Sequence, residues 1–206
     1  MIIATAREML DELPLDAVTL NGLARRAGLA SSNVLRYFDS REAVLLALVV
    51  AETDAWLADI VDRPVDPAGP LPERCAAAAD VLAQALDGHP RFCELISVQA
   101  AVLERNVSAD TAVAFKSASS AQLHRLAGWL AAALPELPAA DPATLRLAAN
   151  ATLLAGALWA QSRSQEVLAA QLVEHTELTT PTTFSESARE AIRLLLRGGT
   201  GEARPG

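Results

Sequence analysis

Residues 19–38, TLNGLARRAGLASSNVLRYF, constrain the fold more than any other part of the chain. Their spacing predicts two short helices joined by a tight turn, because Gly28 can take a left-handed backbone conformation at no steric cost and the small Ala24 lets two helices approach closely. The side chains predicted to complete the apolar face of this unit are Leu20, Leu23, Leu29, Val34 and Tyr37. This arrangement is typical of a helix-turn-helix. The alternative is an ordinary αα-hairpin within a helical core.

The composition predicts an all-α fold around this unit. The chain has 206 residues, of which 51% are hydrophobic and only 4% aromatic. A sizeable core must therefore be built largely from alanine and leucine, which favour helices. The net charge of −8 excludes a broad basic surface for indiscriminate nucleic-acid binding, but it leaves room for a local basic patch.

Helical periodicity and breaker residues divide the chain into about nine helices. They are predicted over residues 2–13, 20–26, 31–38, 41–62, 73–86, 91–104, 109–134, 142–164 and 184–197, with 165–175 as a further amphipathic candidate. Thr19 and Ser40 are predicted N-caps. We expect a helix-turn-helix domain over residues 1–46, a helical domain over 47–198 and a tail over 199–206, with the fourth helix bridging the first two.

The N-terminal order resembles the TetR family of one-component transcriptional regulators, since an apolar first helix is followed by DAVTLNGLARRAGLASSNVLRYFDSREAVLL and a long fourth helix. The matching positions are Thr19, Leu23, Ala24, Ala27, Gly28, Tyr37, Phe38, Ser40, Glu42 and Leu45. The resemblance implies a homodimer on a double-stranded DNA operator, with the third helix of each subunit in a major groove. It also implies that a small-molecule effector in the C-terminal domain changes the separation of the two heads.

Two positions, Ala30 and Leu35, depart from the usual family pattern, and Arg41 is a conservative variation of it. Ala30 stands where the family usually has a Ser or Thr that caps the third helix, so the cap could pass to Ser31 or DNA phosphate could hold the first turn. Leu35 stands where a Tyr commonly reaches a phosphate, a contact that Leu cannot make. Arg41 matches a position usually held by Lys at the start of the fourth helix, where a cation can bind phosphate.

Helix geometry selects the side chains that can reach base edges, because only the start and the outer face of so short a third helix are exposed. These residues are Ser31, Ser32, Asn33 and Arg36. Asn33 can pair with adenine and Arg36 with guanine. The alternative for Asn33 is a solvated polar residue without a partner.

Phosphate contacts are predicted for Arg25, Arg26 and Arg41, which flank the third helix, and Thr19 completes the predicted DNA-facing set. Arg25 and Arg26 could instead complement the dipole of the helix that they end. Tyr37 is expected to pack in the core because of its apolar ring, but its hydroxyl could instead turn to phosphate, so it is included in the predicted DNA-binding set.

The C-terminal helices offer apolar walls with a few polar groups, which is what a small-molecule pocket requires. The predicted pocket residues are Phe92, Ile96, Gln99, Phe115, Ser119, Gln122, Trp129, Asn150 and Leu154. No charged residue is committed to this pocket, so a mainly hydrophobic effector is expected. The alternative is that these are ordinary core helices.

The last two long helices carry more apolar surface than one subunit needs, and the resemblance points to them for dimerisation. The predicted interface residues are Leu158, Trp159, Ala188, Ile192 and Leu195. Two such helices from each subunit would form a four-helix bundle. The alternative is packing within one subunit alone.

Other functional classes find no support in the sequence. The three histidines lack a carboxylate or cysteine at catalytic or metal-ligand spacing, so neither an enzyme nor a metal or cofactor is expected. Arg7 and Glu8 come too soon for a signal peptide, and no apolar stretch is long enough to span a membrane, so a soluble cytoplasmic protein is expected.

The leading hypothesis is a ligand-responsive repressor that binds a palindromic operator as a homodimer and is released by a small hydrophobic effector. The competing hypothesis is a helical ligand-binding or protein-interaction module with a weakened DNA-binding head. Ala30, Leu35 and the acidic balance of the chain motivate this second hypothesis.

Overall fold

A computed structural model of the chain describes residues 1–99, 103–171 and 183–201. Within these residues the fold is all-α, as predicted. The helices are α1 (Ile2–Glu12), α2 (Leu20–Arg26), α3 (Ser31–Leu35), α4 (Arg41–Val61), α5 (Leu71–Gly88), α6 (Pro90–Gln99), α7 (Ala109–Ala133), α8 (Pro142–Gln171) and α9 (Phe184–Gly199). Single turns of 3-10 helix cover Leu15–Ala17 and Leu103–Arg105.

The helix-turn-helix forms through local signals that the sequence displays. The Thr19 hydroxyl accepts a hydrogen bond from the backbone N–H of Gly22, which satisfies one free donor at the start of α2. Gly28 has a φ of 68°, and the N–H of Leu29 reaches back to the carbonyl of Ala24, so that α2 ends in a Schellman motif. The predicted N-cap Thr19 and the left-handed Gly28 are therefore confirmed.

The third helix is shorter than predicted, since it ends at Leu35 rather than at Phe38. Its N-cap is Ala30, which has no side chain to bond the first turn, and Ser31 does not take over the cap. The Ser31 hydroxyl instead donates to Oδ1 of Asn21, at 2.9 Å. Only Val34 of this helix is buried, so α3 is held mainly by its contact with α2 and its flanking turns.

The fourth helix joins the head to the rest of the molecule. Ser40 accepts a hydrogen bond from the N–H of Ala43, which confirms this cap. The N-terminal half of α4 packs with α1 and α2 in one apolar core, which also includes Leu95, Leu103 and Phe115 from the C-terminal region. The expected domain boundary near Ala47 therefore lies within a continuous helix and a continuous core.

The C-terminal helices form a second core around α5. Helix α9 packs on α5, α6 packs on α8, and α7 packs on α4. The side chains at the centre of this core include Trp56, Leu82, Leu86, Phe92, Leu126 and Leu130. Alanines of α5 let neighbouring helices approach closely, as the alanine-rich composition predicted.

Several predicted helix ends differ from the structure. Helix α6 is described over Pro90–Gln99, residues 100–102 of the helix predicted to residue 104 lie outside the described residues, and Leu103–Arg105 form a 3-10 turn instead of a continued α-helix. Helix α8 continues past the predicted end at residue 164 at least as far as Gln171, because no proline or glycine lies between these two positions. Residues 172–175 of the candidate amphipathic helix, most of the loop predicted over 179–183, and the predicted tail after residue 201 lie outside the described residues.

Candidate nucleic-acid interface and internal cavity

The outer face of α3 carries the side chains predicted to contact bases. Ser31, Ser32, Asn33 and Arg36 are all exposed. The side chains of Ser32 and Asn33 form no hydrogen bond with the described part of the chain, so their donors and acceptors are available to an external partner. Asn33 in particular presents an amide that can pair with an adenine edge.

Tyr37 lies on the surface, which corrects its assignment to the apolar face. Its side chain is 66% exposed because α3 has already ended and the chain turns before this residue. The guanidinium of Arg36 lies 5.3 Å from the centre of the Tyr37 ring and donates to the tyrosine hydroxyl over 3.2 Å. This contact holds both polar groups together on the exposed side of the head.

The two arginines at the end of α2 have different surroundings. Arg26 donates two hydrogen bonds, of 2.5 and 2.6 Å, to the carboxylate of Glu12 on α1. The hydrogen bonds from Arg26 lower the pKa of Glu12, and those to Glu12 raise the pKa of Arg26. Arg25 is exposed and has neither an ion pair nor a hydrogen bond with the described residues. Arg25 is thus the freer cation of the pair.

Arg41 is tied into the head rather than projecting from it. Its guanidinium donates to the carbonyl of Leu15 in the 3-10 turn and to Glu42, over 3.1 Å in the second case. Its Nε is buried without a partner among the described residues, and about a quarter of the side chain remains exposed, 23% by area. Arg41 therefore positions the turn before α2 against the start of α4.

A cavity of about 340 Å³ lies between α4, α6, α7 and α8. Four of the nine predicted pocket residues line it: Ile96, Gln99, Ser119 and Gln122. Trp56 and Leu57 of α4, together with Leu123 and Leu126 of α7, form much of its apolar wall. The sequence analysis predicted the pocket only in the helices after α4 and therefore missed these α4 residues.

The other five predicted pocket residues do not line this cavity. Phe92 is buried against Trp56, with ring centres 4.9 Å apart, and Phe115 and Trp129 are buried in the two cores. Asn150 is exposed, and Leu154 does not line the cavity wall. Lys116 does line the cavity, although no charged residue was predicted there.

Ion pairs and hydrogen bonds connect the head to the helices around the cavity. The buried carboxylate of Glu52 on α4 accepts a hydrogen bond from Arg7 on α1, at 2.6 Å, and lies 3.6 Å from Arg91 on α6. Arg91 also pairs with Asp11 on α1. These contacts would therefore transmit a movement of α4 or α6 beside the cavity to α1.

The predicted dimer residues divide into two groups. Ala188 and Ile192 are 0% and 2% exposed because α9 packs them against α5 in the same subunit, so they have no surface left for a second chain. Their assignment to the interface is therefore corrected. Leu158, Trp159 and Leu195 are partly buried against the same core.

The exposed surface of α8 is unusually poor in charge. Between Arg146 and Arg163 the helix has no charged residue, and its exposed positions include Ala157, Ala160 and Leu153, the last of which also lines the cavity. On α9, Leu194 is a large apolar residue that is mostly exposed. We refer to these exposed side chains on two helices that pack together as the α8–α9 face, which a second protein chain could cover.

Groups that support other chemistry are scarce in the described part of the chain. No cluster of three metal-ligating side chains occurs among the described residues. Burial raises the pKa of the Cys93 thiol to about 12, so this thiol stays protonated and is a poor nucleophile. No described helix is long and apolar enough to cross a membrane.

A helix-turn-helix head with an exposed second helix, joined through α4 to an all-helical domain, defines a DNA-binding transcriptional regulator. The chain belongs to the TetR family. The family described as bacterial regulatory proteins, tetR family, matches residues 2–48, and the tetracyclin repressor-like C-terminal domain matches residues 50–202. Members of this family are transcriptional regulators and not enzymes.

Curated relatives and solved structures agree with this assignment. The HTH-type transcriptional regulator EthR of Mycobacterium tuberculosis is 38% identical over 68 residues, and the EthR of Mycobacterium bovis matches equally. The match spans 32% of this chain and 32% of the length of these relatives. A possible TetR family transcriptional regulator from Streptomyces coelicolor A3(2) shares the fold, with a TM-score of 0.58 and 21% identity over 96% of both chains.

Proposed function

We propose that this protein is a ligand-responsive repressor that binds a palindromic operator as a homodimer and leaves it when a small, mainly apolar molecule occupies the cavity. The observation that carries the DNA-binding part is the outer face of α3. Asn33 and Ser32 present polar groups that no described residue uses, and the unpaired Arg25 lies at the end of the preceding helix. A protein with this role acts on chromosomal DNA, and we therefore expect it in the cytoplasm.

The α8–α9 face supports the proposed homodimer. A solvent-exposed helix normally carries charge on its outer side, whereas α8 carries none over the sixteen positions from 147 to 162. A two-fold interface repeats the same surface on both subunits, so one uncharged face suffices for both. The flanking Arg146 and Arg163 would then lie at the polar rim.

The cavity and its connections support the proposed release. A molecule between α4, α6 and α7 touches helices that are joined to α1 through Glu52 and Arg91. A ligand that binds better when these helices move apart would shift the head away from its DNA-binding position. This scheme requires only that the ligand bind more tightly to one arrangement of the helices and head than to the other.

Selection of DNA from a random pool tests the proposal directly. We expect the purified protein to recover a palindrome, with binding that weakens steeply as salt increases. Arg36→Ala should relax base preference, and Arg41→Ala should weaken binding to all sequences because it releases the turn before α2 that Arg41 holds against the start of α4. Failure to recover any preferred sequence at low salt would instead favour a ligand-binding module with a weakened head, consistent with the uncapped start of α3 and the 53% exposed Leu35.

Charge placed on the α8–α9 face tests the dimer. Ala157→Glu and Leu194→Glu should convert the protein to a monomer in sedimentation and reduce operator affinity, because a buried unpaired carboxylate is costly. Val113→Glu is the matched control, since Val113 is 69% exposed, compared with 56% for Leu194, and lies on α7. A protein that is monomeric without any substitution would overturn the dimeric part of the proposal.

A further inference from the structure

The exposed side of α3 includes an apolar side chain for which the polar contacts of the head give no reason. Leu35 is 53% exposed, although the residue before it, Val34, is fully buried. Within the described part of the chain, Leu35 packs in neither apolar core, even as a partly buried neighbour. Isolated exposed leucines are common on protein surfaces, so the position of this one on the helix decides whether it has a role.

Helical geometry places Leu35 among the side chains predicted to contact bases. Successive residues of an α-helix are rotated by about 100°, and residues three apart are neighbours, so Leu35 lies beside Ser32. Because Val34 faces inward, Ser32 and Arg36 point most directly outward. Asn33 and Leu35 flank this outward stripe on its two sides, and both are exposed. A partner that covers the stripe must therefore also approach Leu35.

The chemistry of the major groove selects the partner of such a side chain. The edges of the bases there carry hydrogen-bond donors and acceptors and a single kind of apolar group, the C5 methyl of thymine. A leucine pressed against a polar edge or a phosphate would displace water without replacing its hydrogen bonds. Contact with a thymine methyl instead removes apolar surface of both partners from water. Leu35 stands where the family commonly has a phosphate-binding Tyr, so this position is free to contact a base.

We infer that Leu35 contacts the C5 methyl group of a thymine in each operator half-site and thereby determines sequence specificity together with Asn33 and Arg36. The inference rests on the proposed operator binding and adds a base preference to it. The preferred pair at this position is T·A rather than C·G, because cytosine has no methyl group at C5. The hydrogen bonds proposed for Asn33 and Arg36 select purines at other positions of the same half-site.

Scanning the selected operator with deoxyuridine tests the inference on the full-length protein. Deoxyuridine lacks only the C5 methyl of thymidine, so base pairing and the O4 acceptor are unchanged. We expect one thymine position at which this replacement lowers the affinity by about fourfold for each half-site, the effect of one apolar carbon group withdrawn from water. At the same position a C·G pair should bind weakly, and 5-methylcytosine should recover part of the loss.

Substitutions in the protein assign the methyl effect to Leu35. Leu35→Ala should bind the thymine and uracil operators with equal affinity, whereas Leu35→Met, which keeps an apolar side chain of similar size, should retain the difference. Leu13→Ala is the matched control, because Leu13 is a 39% exposed leucine that follows α1, and it should retain the full difference. If Leu35→Ala binds too weakly, the comparison is made at lower salt, where affinity for all sequences rises.

The possible results separate this inference from the proposed function. A selected operator without a methyl-sensitive position would overturn the inference and leave operator binding intact. A methyl effect that persists in Leu35→Ala would also overturn it, and an equal loss of affinity for both operators would then place Leu35 on the sugar–phosphate backbone. Failure to recover any operator would contradict the proposed operator binding and, with it, this inference.

Discussion

The carboxylate of Asp39 accepts a hydrogen bond of 3.1 Å from the backbone N–H of Ser108. Asp39 lies just after the exposed α3, whereas Ser108 is the N-cap of α7, which forms one wall of the cavity. The hydroxyl of Thr111 also donates to this carboxylate, over 3.3 Å. The contact with Ser108 is the main cause of a lowered pKa of Asp39. Two charge-assisted hydrogen bonds thus join the helix-turn-helix head to a helix of the C-terminal domain.

Replacing Asp39 by Ala should loosen the junction between the head and α7. We expect the amide of Ser108 to exchange its hydrogen roughly two- to tenfold faster, the effect of losing one hydrogen bond. Asp66→Ala is the control, because Asp66 accepts a similar hydrogen bond, from Ala68, within the loop before α5. Unchanged exchange at Ser108 would contradict the junction.

The same junction should weaken in acid. Because the pKa of Asp39 is lower in the folded protein, its stabilising contribution is complete above the usual pKa of an aspartate and is lost as the pH falls through the lowered value. The difference in melting temperature between the wild type and Asp39→Ala should therefore be constant near neutrality and shrink in acid. A difference in melting temperature that grew as the pH fell would contradict this prediction.

Arg25 and Arg26 should contribute unequally to DNA affinity. Arg25→Ala should weaken binding to all sequences and reduce the salt slope by about one, because a free cation is available to a phosphate. Arg26→Ala should change the slope less, since Glu12 already holds that guanidinium. Affinities for the selected operator over a range of salt concentrations provide the measurement. Equal slopes for the two variants would contradict the distinction.

Gly156→Ala should destabilise the contact between α6 and α8. A Cβ at residue 156 would lie 3.1 Å from the backbone carbon of Ile96, so the two helices would have to separate. We expect a loss of about 1–3 kcal/mol in the free energy of unfolding, measured with urea. Gly128→Ala in α7 is the control, because nothing lies within 4 Å of a Cβ there. That variant should be more stable by roughly 0.5–1 kcal/mol, and equal effects of both substitutions would refute the close approach.

Glu136→Gln should destabilise the protein at neutral pH and have little effect in strong acid. Glu136 accepts hydrogen bonds from the buried Arg74, which lower the pKa of the glutamate to about 2. Its contribution is therefore complete above the usual glutamate pKa and is lost as the pH falls toward 2. Melting temperatures of the two proteins across this range test the prediction. Glu166→Gln should change little at any pH, because its pair with Arg163 is exposed.

The structure also explains where interpretation of the sequence failed. Tyr37 was predicted to be a core residue because it is aromatic and was placed on the apolar face of a longer third helix, but α3 ends two residues before it. Ala188 and Ile192 lie on an apolar stripe that α5 covers within one subunit, and no local pattern reveals which helix covers such a stripe. The cavity residues on α4 were missed because the pocket was predicted only in the helices after α4.

The sequence by itself determined the helix-turn-helix, because its signals act over three or four residues. Thr19 and Ser40 cap the helices that they precede, and Gly28 permits the turn wherever the rest of the chain lies. It also determined the all-α class and, through the N-terminal pattern, the family. Only the tertiary structure decided which side chains line the cavity, and that Glu12 holds Arg26 while Arg25 has no partner among the described residues. These properties depend on contacts between residues far apart in the chain, which the packing of whole helices creates.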